Sequence, residues 1–199
     1  MYIPKPPEHL PLRGNAFSRW LGRSLLRLLG WGFEGELPNT KQCLVIAAPH
    51  TSNWDFVIGM LAMLAVGLKA SWMGKASIFI GPFKPLLLWA GGIPTVRDKH
   101  TGAVEQRVRL FQMHEKLVLG IAPEGTRSAT DTWRNGFYHI AAGADIPFFP
   151  IYWDYDKKVV GLLPTFHPTG DKVADIAALK ALFKDVKCKF PENANWQNL

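Results

Sequence analysis

Short strand-like segments alternate with helical ones along the chain, and this alternation restricts its fold more than any other feature. The segment CLVIAA (43–48) reads as a buried strand, and the 13-residue apolar run from Phe56 to Leu68 reads as a buried helix. Further strands are expected near 70–73, 91–98, 116–123 and 146–155, and helices near 16–31, 53–68, 101–116, 136–144 and 171–186. Strands that alternate with helices are typical of an α/β sheet.

Length and composition predict one domain with a sizeable core. The chain has 199 residues, and 48% of them are hydrophobic, which excludes a disordered chain. The sequence contains no internal repeat and no linker. The expected division is an N-terminal arm at 1–31 and a main domain at 32–199. Residues 157–170 are expected to turn back as an edge hairpin arm, and the polar tail from Pro191 is expected to be frayed.

No membrane span, secretion signal or metal site is predicted. The longest apolar run has 13 residues, whereas a transmembrane helix needs about 20. The Pro-rich N-terminus lacks the basic and apolar regions of a secretory signal. Two cysteines, Cys43 and Cys188, make no disulfide framework, and no zinc-type Cys/His spacing is present. Cys43 lies in an apolar run and is expected to be a buried free thiol.

Positive charge is concentrated near the N-terminus. The net charge is +7, and residues 1–31 oppose five basic side chains to Glu8 alone. The stretch AFSRWLGRSLLRLLGW (16–31) predicts an amphipathic helix with Arg19, Arg23 and Arg27 along one edge. Such a helix either docks on the core with a solvated basic face, or lies in a membrane interface with its arginines on acidic head groups.

A histidine and an aspartate stand where the strand at 43–48 gives way to the apolar helix, in APHTSNWDF (48–56). Five residues apart on one helix, His50 and Asp55 would point about 140° apart. They can meet only if His50 lies in the loop and Asp55 in the first helical turn, with Ser52 or Asn53 as the cap. By itself the pair is also consistent with a loop histidine and a helix-capping aspartate.

A second polar stretch, PEGTRS (123–128), directly follows the strand LVLGIA. It therefore lies at the carboxyl end of a strand, where α/β sheets bind ligands. Gly125 allows a ligand to approach the backbone, and the Arg127 guanidinium is suited to phosphate. The alternative is a tight surface turn in which Glu124 and Arg127 form an ion pair.

Taken together, these stretches resemble the glycerolipid acyltransferases, the family of lysophosphatidic acid and glycerol-3-phosphate acyltransferases. Four blocks occur in the family's order: PHTSNWD (49–55), GGIPTVR (91–97), PEGTRS (123–128) and IPFFPI (146–151), with Lys75 ahead of the second. The resemblance covers about residues 43–155, and it departs from the family at Pro49, where asparagine is usual. It implies a single-domain, mixed, largely parallel sheet flanked by helices, like that of glycerol-3-phosphate acyltransferase, with the N-terminal amphipathic helix added.

The resemblance also implies a reaction. An O-acyltransferase of this family moves a fatty acyl group from acyl-CoA or acyl-carrier protein, with no further cofactor, to the hydroxyl of a lysophospholipid. The acceptor expected here is 1-acyl-glycerol-3-phosphate, in phospholipid biosynthesis.

The same resemblance assigns the site residues. His50 is implied to be the general base, and Asp55 is implied to orient its ring. A backbone N–H near the helix start is a candidate donor to the oxyanion. The acceptor phosphate is assigned to Arg127, Arg97 and Lys75, and the shape of the acceptor site to Glu124, Gly125 and Thr126.

An insoluble acceptor favours the interfacial interpretation of the N-terminal helix. The expected location is therefore the cytoplasm, in peripheral contact with an acidic membrane, and acyl-carrier protein is a second candidate partner. Nucleic-acid binding is disfavoured because aromatic residues do not interleave with a basic stripe outside that helix. The alternatives are a non-catalytic lipid-binding protein on the same fold, acylation of a different acceptor, and a phosphoester hydrolase, for which the chain lacks a metal cluster and a nucleophilic cysteine.

Overall fold

A computed structural model describes residues 2–95 and 102–198. Its strands are β1 (Gly32–Gly35), β2 (Gln42–Ala47), β3 (Ala70–Lys75), β4 (Gly92–Thr95), β5 (Leu117–Ile121), β6 (Phe148–Asp154) and β7 (Val159–Leu162). Its α-helices are α1 (Ala16–Leu28), α2 (Asn53–Val66), α3 (Lys84–Trp89), α4 (Ala103–Met113), α5 (Gly136–Ala144) and α6 (Lys172–Ala181). Short 3₁₀ turns lie at Ala76–Ile78, Gly81–Phe83, Pro191–Asn193 and Asn195–Asn198.

The strands form one sheet in the order β1-β7-β6-β2-β5-β3-β4. Strands β2 to β6 are parallel to one another, so their carboxyl ends meet at one edge. Strand β7 returns antiparallel to β6, and β1 pairs parallel with β7. The predicted single-domain α/β fold with a mixed, largely parallel sheet is confirmed.

Both faces of the sheet are covered, which explains the nearly continuous apolar strands. In β2, Cys43 and Val45 point to the face covered by α1 and α2, and Leu44 and Ile46 point to the face covered by α4, α5 and α6. Cys43 is a free, fully buried thiol, as the sequence predicts. Burial raises its pKa to about 12.

Helix α1 lies in close contact with α2. A Cβ at Gly22 would come within 2.6 Å of the Ala65 backbone nitrogen, so the approach requires glycine at this position. The Arg23 Nε donates to the Ala65 carbonyl at 2.9 Å, across the same contact. Only Gly22 and Leu26 of α1 are buried, because the contact face is narrow. The remaining apolar side chains of the helix are left at the surface.

Three segments differ from the sequence-based expectation. The hairpin arm at 157–170 does not end the sheet, because β1 pairs outside β7. The stretch between the strands expected near 70–73 and 91–98, for which the sequence predicts no helix, contains the short helix α3. The tail from Pro191 is not frayed: it forms two 3₁₀ turns and buries Ala194 and Trp196.

Within residues 2–95 and 102–198, every helix is too short or too polar to cross a bilayer. The division into an arm at 1–31 and a domain at 32–199 remains a prediction.

Candidate active site

The sequence-predicted site residues gather at the edge where the parallel strands end. His50 follows β2, Lys75 is the last residue of β3, and Glu124 to Arg127 follow β5. Arg97 lies outside the described residues. Because β5 lies between β2 and β3, the sheet brings the loops that carry His50, Glu124 and Lys75 next to one another.

The His50–Asp55 contact arises from the way α2 begins. Ser52 is the N-cap, and its hydroxyl accepts from the Trp54 N–H at 3.1 Å. Asp55 occupies the third helical position, and its Oδ2 accepts from the Ser52 N–H at 2.8 Å, which completes a capping box. The same oxygen lies 3.1 Å from His50 Nδ1, so the cap and the contact use one carboxylate.

Asp55 is almost completely buried, with 1% of its surface exposed. Its Oδ2 also accepts from the Thr51 N–H at 2.9 Å, and its Oδ1 accepts from the Tyr155 hydroxyl at 2.6 Å. Burial and the bond to Asp55 raise the pKa of Tyr155 above its usual range, so the phenol remains a donor. A carboxylate can only accept, so Nδ1 of His50 carries the proton and Nε2 presents a lone pair.

The amides at the start of α2 are already occupied. The N–H groups of Thr51 and Ser52 bond to Asp55, that of Trp54 bonds to Ser52, and that of His50 bonds to Glu124. These four amides are therefore not available to an oxyanion. The expectation of an oxyanion donor near the helix start does not hold for them.

Glu124 lies behind the histidine. Only 4% of its surface is exposed, and its Oε2 and Oε1 lie 2.9 and 3.2 Å from the His50 backbone nitrogen. The Trp196 indole donates to Oε1 at 3.0 Å. Burial raises the pKa of the Glu124 carboxyl to about 7, against the lowering effect of these two donors. The side chain thus supports the histidine loop.

The rest of the PEGTRS stretch turns outward. Gly125 has a φ of +66°, a backbone conformation that favours glycine, and a Cβ there would come within 2.7 Å of Arg134 Nε and displace that side chain. Thr126 and Arg127 are exposed, as is Lys75. No carboxylate among the described residues pairs with Arg127, so the Glu124–Arg127 ion pair of the alternative interpretation does not form. Lys75 and Arg127 thus present cationic side chains to solvent.

An apolar cavity of ≈ 210 Å³ lies between α2 and the sheet. Its walls come from α2 and from strands β1, β2, β3, β5, β6 and β7. His50 and Asp55 line one end, and Val66 and Leu68 line the other. Eleven helical residues separate Asp55 from Val66, so the cavity follows α2 for about 16 Å.

Three tryptophan and tyrosine residues belong to the site although sequence reasoning did not select them. Tyr155 bonds to Asp55, the Trp153 ring lies 5.7 Å from the His50 ring, and Trp196 bonds to Glu124. Tyr155 directly follows β6, so its place at the end of a strand next to β2 was a usable signal. Trp196 is 72 residues away from Glu124 and gave none.

Among residues 2–95 and 102–198, no three His, Cys, Asp or Glu side chains are grouped to hold a metal ion.

Known proteins give the site a context. Residues 33–154 match the sequence profile of the Acyltransferase family, which is more than half of the chain. The structure is similar to the crystal structure of the 1-acyl-sn-glycerophosphate acyltransferase PlsC from Thermotoga maritima, with a TM-score of 0.57 and 15% identity. That similarity covers 87% of this chain and 80% of the other, and it concerns the fold. Comparison with curated protein sequences gives no match.

Proposed function

Because the chain belongs to the Acyltransferase family, we propose that it moves a fatty acyl group from a thioester to the hydroxyl of a lysophospholipid. The donor is acyl-CoA or acyl-carrier protein, and the acceptor is 1-acyl-glycerol-3-phosphate. The reaction belongs to phospholipid biosynthesis. The observation that carries this proposal is the His50–Asp55 pair at one end of an apolar cavity.

His50 is the general base of the proposed reaction. Its Nε2 takes the proton of the acceptor hydroxyl, whose oxygen forms a bond to the thioester carbonyl carbon. The tetrahedral intermediate then collapses, the C–S bond breaks, and the thiolate leaves with the proton from Nε2. Asp55 remains ionised and stabilises the imidazolium, and no acyl-enzyme is formed. Support comes from the four hydrogen bonds that fix this carboxylate against the ring.

The acyl chain of the donor occupies the apolar cavity in this proposal. The walls are almost entirely hydrocarbon, and His50 and Asp55 lie at one end. An extended acyl chain that fills the channel would place its thioester carbon beside the histidine. Burial of each methylene favours the bound donor by about 0.8 kcal/mol.

The acceptor phosphate is assigned to exposed cations around the histidine. Arg127 is the first choice, because a guanidinium matches the geometry of phosphate with two parallel N–H donors. Lys75 ends β3, Arg97 comes two positions after the end of β4 in the sequence, and these two complete the predicted set. Gly125 and Thr126 would border the acceptor, and Glu124 would support the loop from behind.

The acceptor is reached at an acidic membrane surface. On α1, Phe17, Trp20 and Leu28 expose 65, 60 and 82% of their surface. A second exposed apolar group follows β3, made of Ile78, Ile80, Phe83, Leu86, Leu88 and Trp89, and we call it the apolar ledge. Arg13, three residues before the start of α1, contacts the apolar ledge. Its guanidinium lies over the Trp89 ring and donates to the Trp89 carbonyl. Apolar side chains beside arginines fit a bilayer with anionic lipids.

Thiol release from palmitoyl-CoA or palmitoyl-carrier protein, with 1-acyl-glycerol-3-phosphate present, tests the reaction. Wild type should release thiol only when the acceptor is present, and His50→Ala should lose this activity while its thermal unfolding midpoint stays close to wild type. Release by His50→Ala at the wild-type rate would refute the base assignment. No acceptor-dependent release with either donor would favour the non-catalytic lipid-binding alternative, or an acceptor of another class.

Sedimentation with vesicles of 30% phosphatidylglycerol and 70% phosphatidylcholine tests the membrane surface separately. The double variant Trp20→Ser and Phe83→Ser should lose most of its vesicle binding. Met113→Ser on α4 is the matched control, because that side chain is 77% exposed on the opposite face of the sheet. Unchanged sedimentation of the double variant would return α1 to the interpretation of a helix that is only docked on the core.

A further inference from the structure

The C-terminal residues 187–197, which we call the C-terminal strap, run behind the loop that carries His50 and bond to that loop or to its hydrogen-bond partners at three places. The Lys187 carbonyl accepts from the Tyr155 N–H at 2.8 Å. The Phe190 N–H donates to the Thr51 hydroxyl at 3.3 Å. The Trp196 indole donates to Glu124. Each partner is Thr51 in the loop itself or a residue that bonds to it.

Trp196 anchors the C-terminal strap in the hydrophobic core. Only 2% of its surface is exposed, and its ring packs edge-on against Trp133 at 4.9 Å and against Phe183 at 6.3 Å. The neighbouring Gln197 amide donates to the carbonyls of Phe183 and Val186 at 2.6 and 3.2 Å. The indole therefore has one defined orientation, with its N–H aimed at Glu124.

Two successive hydrogen bonds link the Trp196 indole to the His50 backbone. Its N–H donates to Glu124 Oε1, and the carboxylate accepts from the His50 backbone N–H at 2.9 Å through Oε2. Because an indole nitrogen can only donate, Oε1 of Glu124 must be the acceptor in this bond. The Glu124 carboxyl is buried, and a buried carboxylate with one donor fewer is less well held.

We infer that Trp196 is a positioning residue, which orients Glu124 and, through the His50 backbone N–H, holds the base against Asp55. The inference rests on the proposed function for its kinetic consequence only. Its structural part, that the strap holds the His50 backbone, does not depend on which acyl acceptor is used.

The sequence offers a matched control for this role. Trp133 packs against Trp196 in the same aromatic cluster and is also buried, but its indole N–H has no hydrogen-bond partner in the described structure. Trp196→Phe and Trp133→Phe therefore remove the same atoms from the same cluster. Only the first removes a hydrogen bond.

The experiment compares these two variants with Glu124→Gln and with the double variant Trp196→Phe, Glu124→Gln. Trp196→Phe should lower kcat about 10-fold, the equivalent of about one hydrogen bond, with the KM of the acceptor unchanged. Trp133→Phe should lower kcat by less than about twofold. Adding Trp196→Phe to Glu124→Gln should have little further effect on kcat, because the indole acts through that carboxyl.

Hydrogen exchange of the His50 backbone amide, followed by NMR, gives a readout that does not need activity. Exchange should accelerate about 10-fold in Trp196→Phe and stay at the wild-type rate in Trp133→Phe. Equal exchange and equal kcat in the two variants would overturn the inference. If wild type transfers no acyl group, the proposed function fails while the exchange rates still decide the role of Trp196.

Discussion

Replacing Asp55 with asparagine tests the core of the proposed mechanism, because the structure shows which way the new amide must face. The N–H groups of Thr51 and Ser52 both point at Oδ2, so they keep an oxygen in that position. The amide NH₂ then faces Tyr155, whose hydroxyl can turn to accept from it. His50 retains its Nδ1 proton, and the substitution removes the charge while the geometry remains.

The magnitude follows from the 3.1 Å separation between His50 Nδ1 and Asp55 Oδ2. At an effective dielectric constant of about 20, an imidazolium at that distance gains roughly 5 kcal/mol from the carboxylate. The amide oxygen still accepts a hydrogen bond from the charged imidazolium, which is worth about 2.3 kcal/mol and leaves a loss of about 2.7 kcal/mol. We therefore expect kcat to fall about 100-fold, with the KM of both substrates unchanged.

Steady-state thiol release over a range of both substrates measures this effect, and a thermal unfolding scan checks that the variant is folded. Tyr155→Phe is the matched control, because it removes a donor to the same carboxylate and leaves the charge in place. It should lower kcat only a few-fold. A loss of less than about fivefold in Asp55→Asn, or a loss confined to KM, would refute the electrostatic role of Asp55.

Three further predictions concern the acceptor, the acyl chain and stability. Arg127→Ala should raise the acceptor KM about 10- to 100-fold and change kcat little; an unchanged KM would remove Arg127 from the phosphate site. Ala62→Leu should narrow the cavity about 10 Å from Asp55 and should therefore favour octanoyl over palmitoyl thioesters. If the ratio of kcat/KM for octanoyl and palmitoyl thioesters is unchanged, the acyl chain does not occupy this cavity. The pKa of Glu124 is about 7 in the folded state, against 4.5 for the free side chain, so the folded state binds more protons between these two pH values. The protein therefore loses about 3 kcal/mol of stability as pH rises from 4.5 to 7. Glu124→Gln should lack this loss in urea unfolding at pH 4.5 and 7.5, and equal pH dependence in both proteins would show that the carboxyl is not perturbed.

The strands and helices that the sequence predicts are those with strong apolar patterns. The segment 43–48 and the helix after it appear at Gln42–Ala47 and Asn53–Val66. Their apolar patterns are strong because β2 lies between β5 and β6 in the sheet, and α2 packs against α1 and the sheet. β1 was missed because GFEG is short and bounded by glycines, and it becomes a strand only when β7 pairs with it. The tail from Pro191 was mistaken for a frayed end because its burial depends on two residues, Ala194 and Trp196, within a polar sequence.

The candidate site divides in the same way. The His50–Asp55 contact was predictable, since it depends on the local geometry of a helix start. The place of Glu124 was not, because neighbours on the chain do not indicate that its carboxyl turns inward to a backbone N–H 74 residues away. The partners of Asp55 and Glu124 come from Tyr155 and Trp196, which only the tertiary fold brings to the loop.

The burial of both cysteines has a practical consequence for these experiments. Cys43 has a pKa of about 12, and burial also raises the pKa of Cys188, so neither is a thiolate at neutral pH. A thiol reagent would then report the coenzyme released in turnover with little background from the protein. A cysteine introduced by Trp20→Cys on the outer side of α1 would be the most reactive thiol of the chain. A fluorescent or spin label attached there would read the depth of that helix in a bilayer directly.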